Sequence, residues 1–504
     1  MNKISGITLK GVNALPVEVE VETTGGLFVM SIVGLPDTAV KEARERVRAA
    51  LRSVGINIKG RVAINLAPAD IPKEGALLDL PIAVAIASSQ AGITVKKPSI
   101  FLGELALDGR IRKTKGAVSA AFLAKELGWD LYVPVENEFE VGFVTGVTAY
   151  QVASLGDLLR HIRGEIQLPL VSKTVIPDEE SVTIPDFSDI KGQTAAKRAL
   201  EISAAGHHNL LLVGSPGSGK TMLARAIKGI LPPLSDEELM EVLLLKSREG
   251  IDFEKLRERP FRSVHHTASS VALCGGGAYL KPGEISLASR GVLFLDEFPE
   301  FSRDVLESLR QPLEDGCITV SRASGSVVYP AKVLLVAACN PCPCGYAGDP
   351  VERCTCSPSA IDRYTRRLSG PILDRIDLHV SVPRLTPEEL MDISRRECEP
   401  SSVVRKRVCI ARKLQEKRWS GYGYYCNAEV PEHLIKKHVV ITPEVREFIL
   451  SALKKTRLSG RGISKVIKVA RTIADLDGAE NIDIRHIAEA VTYREGEALS
   501  WMKH

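Results

Sequence analysis

Eight consecutive residues, Gly214, Ser215, Pro216, Gly217, Ser218, Gly219, Lys220 and Thr221, fit the pattern G-x-x-x-x-G-K-[ST] in full. Glycines at this spacing let backbone N–H groups turn inward around phosphates, and a following helix adds the favourable end of its dipole. Lys220 would neutralise the β- and γ-phosphates of ATP, and the Thr221 hydroxyl would ligate Mg2+. Such a loop needs a strand before it and a helix after it. Asn209 to Val213 is an apolar run of strand type, and Met222, Leu223, Ala226 and Ile227 open a helical period. A chance glycine-rich turn would lack that context.

Two further strand ends carry polar residues. Val292-Leu293-Phe294-Leu295 runs into Asp296 and Glu297. Asp296 would hold Mg2+ and Glu297 would polarise the attacking water. Val333 to Ala338 ends in Cys339 and Asn340, and a polar side chain there could orient water near the γ-phosphate.

Cys342, Cys344, Cys354 and Cys356 form two C-x-C pairs, and four thiolates could bind Zn2+ tetrahedrally beside the Asn340 strand. A single spacer strains two-point chelation, so reduced cysteines in a turn-rich loop are the alternative. His265-His266 reads as loop packing, because adjacent side chains on a regular element point apart. Arg405, Lys406, Arg407, Arg412, Lys413, Lys417 and Arg418 face only Glu416 within their segment, with Trp419 and tyrosines after them. That segment could follow a phosphate backbone and offer stacking faces, or be a solvated helix face. Two further loops stand out, the glycine-rich Ala272 to Lys281, with Tyr279, and the hairpin Ser321 to Val328, with Arg322; the resemblance drawn below makes them candidate pore loops.

These residues need a frame. The apolar runs Asn209–Val213, Gly291–Leu295 and Lys332–Ala338 suit a parallel sheet covered by helices on both faces. From Thr386-Pro387-Glu388-Glu389, a capping box, the chain turns helical through Thr442-Pro443, Ile463–Leu476 and Ile484–Val491. Before residue 166 lies a smaller α/β region with strands at Val17–Val21, Leu27–Val33 and Val62–Leu66. There Asp37 to Val54 forms a helix closed by Gly55. Pro169, Pro177 and Pro185 mark residues 166–187 as a linker. The division expected is 1–165, linker 166–187, an ATPase core 188–385 and a helical lid 386–504.

The phosphate loop, Gly291 to Phe298, Asn340, and Leu373-Asp374-Arg375-Ile376-Asp377, with Gly275 to Ala288 ahead of the acidic strand, together resemble the AAA+ module of the magnesium-chelatase type. With the N-terminal region included, the whole chain resembles the ComM/YifB family of magnesium-chelatase-like ATPases. The resemblance implies an AAA+ parallel sheet with a helical lid. It implies that Arg375 is the arginine finger for a neighbouring subunit's γ-phosphate, with Arg366 and Arg367 as rivals. Arg461, in Leu458 to Gly462, matches the sensor-2 arginine that contacts nucleotide. A finger supplied in trans implies a ring, and the family suggests a homo-hexamer.

Pro72 to Leu77 and Gly103 to Arg110 are similar to the proteolytic domain of Lon. That family's serine position falls here on Leu77, and its lysine position near Val118 or Ser119. A peptidase needs a nucleophile beside its base, so a scaffold or substrate-binding module is expected, with Ser88 and Lys73 as remaining stand-ins.

Composition sets the outer limits. A chain of 504 residues exceeds one hydrophobic core. A hydrophobic fraction of 44% and a charged fraction of 25% are those of an ordinary globular protein. Leu77 to Ile93, the most apolar stretch, is too mixed to span a bilayer, and a cytoplasmic protein with no membrane partner is expected. A net charge of +4 leaves nucleic-acid binding to local patches. The phosphate loop points to an ATPase, and the resemblance, helped by the basic segments, implies that it is a DNA-translocating ring, handling single-stranded or branched DNA by ComM-like branch migration or helicase activity in DNA uptake and recombination. The alternatives are a metal-chelatase motor or a protein-remodelling ATPase.

Overall fold

The computed structural model describes residues 4–73, 75–174, 185–250, 257–277, 280–322, 325–386, 398–456 and 460–495. The chain divides into two compact units, the first comprising Met1–Asp178, Asp236–Leu256 and Ser321–Tyr329, the second the remainder. Two segments from the middle of the chain thus pack within the N-terminal unit, a division not foreseen from the sequence.

The first unit is built on a seven-stranded mixed sheet. Its order is Val29–Val33, Arg61–Ala67, Asn13–Thr24, Ile4–Lys10, Ser99–Phe101, Asp130–Pro134 and Ala149–Val152. Asp37 caps the helix Thr38–Ser53 by accepting from the Val40 N–H at 2.7 Å. Its apolar face, including Val40, Val47 and Leu51, is fully buried, and each such side chain contributes on the order of 1.5–3 kcal/mol. The helix Asp236–Glu249 docks here through Ser247, whose carbonyl accepts from the Gly116 N–H at 3.0 Å. Val327, in the strand Gly325–Pro330, lies directly against Gly11.

Part of the expected linker belongs to this unit. Leu168 is buried, and the Val171 N–H donates to Ala149 O at 2.8 Å along the sheet edge. Pro169, whose carbonyl accepts from the Gln151 N–H at 2.9 Å, marks an edge-following strand end here.

The second unit holds a five-stranded, wholly parallel sheet in the order Phe261–Val264, Val292–Leu295, Leu334–Cys339, Leu210–Val213, Leu378–Ser381. The three central strands are buried along their length, which explains their uninterrupted apolar sequence. The helices Thr194–Gly206 and Lys220–Ile230 share one hydrophobic cluster with the sheet and with the C-terminal helices Ser401–Trp419, Pro443–Thr456, Gly460–Leu476 and Ile484–Glu495. Thr442 caps the second of these, accepting from the Val445 N–H at 3.4 Å. The capping box at Thr386 continues outside the described residues.

Packing overturns part of the reading of the basic segment. Within Ser401–Trp419, Arg407 pairs with Glu201 and Glu399, Arg412 donates to Ala204 O at 2.7 Å, and Arg418 grips Asp475. Trp419 is fully buried, its indole N–H bonded to Asn427 Oδ1 at 2.8 Å, so it offers no stacking face. Lys406, Lys413 and Lys417 remain exposed. Their spacing places them on one side of the helix.

Candidate nucleotide site

In a parallel sheet every strand ends on the same edge, so residues following different strands meet there. Val213 is in register with Cys339, and Leu295 with Ala337. Gly214, Asp296 and Asn340 therefore emerge together. Lys220, only 8% exposed, donates from Nζ to Gly214 O at 2.7 Å, Ser215 O at 2.9 Å and Asn340 Oδ1 at 3.2 Å. Burial lowers its pKa. The Thr221 hydroxyl donates to Asp296 Oδ2 at 2.9 Å.

The loop has the form of an anion cradle. Gly217 and Gly219 take φ +76° and +93°, which favours glycine, and a Cβ at either would meet no atom within 4 Å. Ser218 Oγ is buried without a hydrogen-bond partner among the described residues. An orphaned hydroxyl, open space and a desolvated ammonium together fit a triphosphate. The paired Thr221 and Asp296 oxygens suit a hard cation such as Mg2+.

Glu297 sits in the left-handed region at φ 52° and ψ 44°, a conformation that costs a residue with a Cβ on the order of 1–3 kcal/mol. Its N–H donates to Asp296 Oδ1 at 2.9 Å. His266 Nδ1 lies 2.7 Å from Glu297 Oε2. The two adjacent rings do not point apart as expected: their centroids lie 4.2 Å from each other, with His265 exposed and bonded to Thr267 Oγ1 at 2.9 Å and His266 turned to Glu297. Val264 is in register with Leu295. His266 and Glu297 are each two residues past those partners, which is why they meet. The short strand Phe261–Val264 was not recognisable from its sequence, and the histidine's placement went with it.

Arg375 and Arg461 lie elsewhere. Asp377 N donates to Asn209 O at 2.9 Å, at the start of Leu210–Val213 and on the edge opposite the phosphate loop. Both arginines approach Glu314 there, Arg375 in close contact and Arg461 at 3.9 Å, on a cavity of about 550 Å³ that also receives Lys465 and Lys468. A four-residue strand separates the two edges by roughly 13 Å. Arg461 was expected to contact nucleotide; within this chain it stands on the far side of the sheet from Lys220. The rivals Arg366 and Arg367 are exposed, Arg367 pairing with Glu300.

The four cysteines converge. The sulfur atoms of Cys342, Cys344, Cys354 and Cys356 all lie within 4.8 Å of one another. Despite the single spacer of each C-x-C pair, the chain brings Cys342 Sγ and Cys344 Sγ to 3.3 Å.

In the first unit no nucleophile stands beside a base among the positions singled out. Leu77 is buried, Lys73 Nζ bonds to Pro68 O, Ser119 donates to Val12 O at 2.6 Å, and Ser88 Oγ is buried without a partner among the described residues. Of the candidate pore loops, Ala272 to Lys281 contains the short helix Ser270–Cys274 and strand pair Gly275–Gly276 and Lys281–Pro282, while Tyr279 lies outside the described residues. Arg322 is exposed at the end of the strand Cys317–Arg322. Among the described residues, no helix is long and apolar enough to cross a membrane.

A strand–loop–helix phosphate cradle at the edge of a five-stranded parallel sheet, with an Asp-Glu strand end, an Asn strand end and a helical lid, defines an AAA+ protein. Three family profiles match in succession: "Subunit ChlI of Mg-chelatase" over residues 19–137, "Magnesium chelatase, subunit ChlI" over 186–390 and "Magnesium chelatase, subunit ChlI C-terminal" over 398–494. YifB of Escherichia coli is 44% identical over 491 residues, covering 96% of this chain and 95% of its own. The competence protein ComM of Haemophilus influenzae is 42% identical over 494 residues, with the same coverage of 96% and 95%. The magnesium-chelatase 67 kDa subunit of Heliobacterium mobile is 26% identical over 247 residues, covering 43% of this chain and 34% of its own. The chain belongs to the ComM/YifB family of magnesium-chelatase-like AAA+ ATPases.

Proposed function

We propose that the protein is a ring-forming ATPase that couples hydrolysis at the Gly214–Thr221 loop to movement along DNA, in branch migration or strand separation during DNA uptake and recombination. The observation that carries the ATPase reading is the convergence of Lys220 with Asn340 and of Thr221 with Asp296 on one sheet edge. Lys220 neutralises the β- and γ-phosphates. Thr221 and Asp296 would hold Mg2+, which would supply neutralisation of phosphate charge. Glu297 polarises the attacking water, Asn340 orients it, and His266 holds the Glu297 carboxylate in position.

The remoteness of Arg375 and Arg461 from Lys220 favours a ring. Both stand on the sheet edge opposite the loop of their own chain, so in a ring their partner would be the nucleotide of a neighbouring copy. An arginine supplied in trans stabilises charge that develops in the transition state. The resemblance of the first unit to Lon without a Ser–Lys pair favours a scaffold or substrate-binding role for that unit.

The DNA part of the reading is supported by the similarity to the competence protein ComM of Haemophilus influenzae. The exposed lysines of the Ser401–Trp419 helix add a basic face. Steady-state ATP hydrolysis should be measured with single-stranded, duplex and branched DNA, recording oligomer size alongside. Stimulation by branched or single-stranded DNA, abolished in Lys220→Ala, is expected. Failure to bind any of these DNAs at low salt would refute the DNA reading. Turnover raised by a porphyrin or by a protein substrate would replace it.

A further inference from the structure

The cysteine cluster is more than a loop staple, because of what the loop touches. A tetrahedral Zn2+ site with Zn–S bonds of about 2.3 Å requires sulfur atoms about 3.8 Å apart. The structure gives 3.3 Å for Cys342–Cys344, 3.7 Å for Cys342–Cys354 and 3.6 Å for Cys344–Cys354, with Cys356 Sγ accepting from the Cys344 N–H at 3.4 Å. Thiols that merely share a loop have no reason to crowd four sulfurs into one volume. A soft, four-thiolate set of this size selects Zn2+ over Mg2+ or Ca2+.

The loop leaves the sheet edge at Asn340, two residues before the first thiol, and Asn340 Oδ1 accepts from Lys220. One residue after Cys344, Gly345 takes φ +91°, and a Cβ there would come within 2.6 Å of Pro216 Cδ in the phosphate loop. Further along, Asp349 Oδ1 accepts from the Val351 and Glu352 amides at 2.8 Å each, and the nearby Ser215 hydroxyl together with these amides holds its carboxylate below the usual range. The cysteine loop therefore lies on the phosphate loop at Ser215 and Pro216 and is continuous with Asn340.

We propose that Cys342, Cys344, Cys354 and Cys356 bind one Zn2+ ion, and that the metal-held loop fixes the backbone of Ser215 and Pro216 in its phosphate-binding form. Each coordinating thiol releases its proton to solvent, and no redox change is involved. The metal positions the ATP site without touching substrate. Its absence should raise the Kd for ATP by on the order of tenfold to a hundredfold, since a displacement of about 1 Å in a positioned group has effects of that size. This coupling rests on the reading of Gly214–Thr221 as an ATP site.

The test uses the full chain purified under reducing conditions. Metal analysis should find one zinc per chain, and Co2+ exchanged into the site should show the intense visible absorption of a tetrahedral thiolate complex. Cys354→Ser with Cys356→Ser should lose the metal and weaken ATP binding. Because that variant could also unfold, Gly345→Ala provides a second arm. It keeps all four thiols and the zinc, and should weaken ATP binding through the collision with Pro216. Chain that takes up neither zinc nor Co2+ would overturn the metal site. ATP affinity unchanged both in folded, zinc-free protein and in Gly345→Ala would overturn the coupling. Lys220→Ala separates the two readings: it should retain zinc while losing nucleotide, and if it still binds ATP tightly the nucleotide assignment itself fails.

Discussion

The contact between His266 and Glu297 makes a sharp prediction. His266 Nδ1 lies 2.7 Å from Glu297 Oε2, and the Glu297 carboxylate is 54% exposed on a backbone in the left-handed region. With the Asp296 carboxylate occupied by Thr221 and by the Glu297 N–H, the imidazole is the group that fixes where the Glu297 carboxylate points. A hydrogen bond to a charged group contributes about 1.5–3 kcal/mol when buried. Half exposure reduces that to about 1.4 kcal/mol, equivalent to about tenfold in rate. His266→Ala should therefore lower kcat for ATP hydrolysis by about tenfold and leave KM nearly unchanged, because the imidazole acts on the water-polarising group and not on phosphate binding. Glu297→Gln should lower kcat by about 10²- to 10⁴-fold. The decisive measurement is the double variant. If His266 acts through Glu297, adding His266→Ala to Glu297→Gln should have little further effect. An equal tenfold loss in both backgrounds, read from single-turnover hydrolysis, would refute the coupling.

Three other outcomes are expected. Lys220→Ala and Arg375→Ala should each be inactive alone, yet an equimolar mixture should regain about a quarter of the wild-type sites, since a random ring pairs an intact loop with an intact arginine at that frequency; no recovery in mixed-subunit ATPase assays would contradict action in trans. His379 is fully buried with both ring nitrogens unpartnered among the described residues, and burial, with Arg494 and Lys465 nearby, lowers its pKa to about 3. The unfolded chain, with a histidine pKa of about 6.5, then binds the extra proton. Stability is intact above that pH and falls by about 1.4 kcal/mol per pH unit from 6.5 towards 3; urea midpoints should fall between pH 7.5 and 5.5, less steeply in His379→Leu, and equal slopes would refute the assignment. Changing Lys406, Lys413 and Lys417 together to Glu should weaken single-stranded DNA binding and reduce the magnitude of its log–log salt slope by about 2, as read by fluorescence anisotropy; an unchanged slope would remove this face from the interface.

The phosphate loop, the acidic strand end and Asn340 were legible in the sequence because each obeys a local rule. A glycine spacing defines the loop, and uninterrupted apolar runs define buried parallel strands whose polar successors must share one edge. The order of those motifs sufficed for the class. Three things escaped, each decided by packing between distant segments. His266 reached Glu297 because Phe261–Val264 is parallel and in register with Val292–Leu295, a pairing its own four residues do not announce. The seven basic residues of the Ser401–Trp419 segment were separable into structural and exposed groups only once Glu201, Glu399 and Asp475 had folded against them. The helix Asp236–Glu249 sits inside the ATPase in chain order and packs with the first unit, which no local pattern marks. Sequence determined the chemistry available at each strand end, since hydrophobic periodicity and turn residues act locally. Tertiary structure decided which of those groups meet, because register, burial and ion pairing depend on partners far away along the chain.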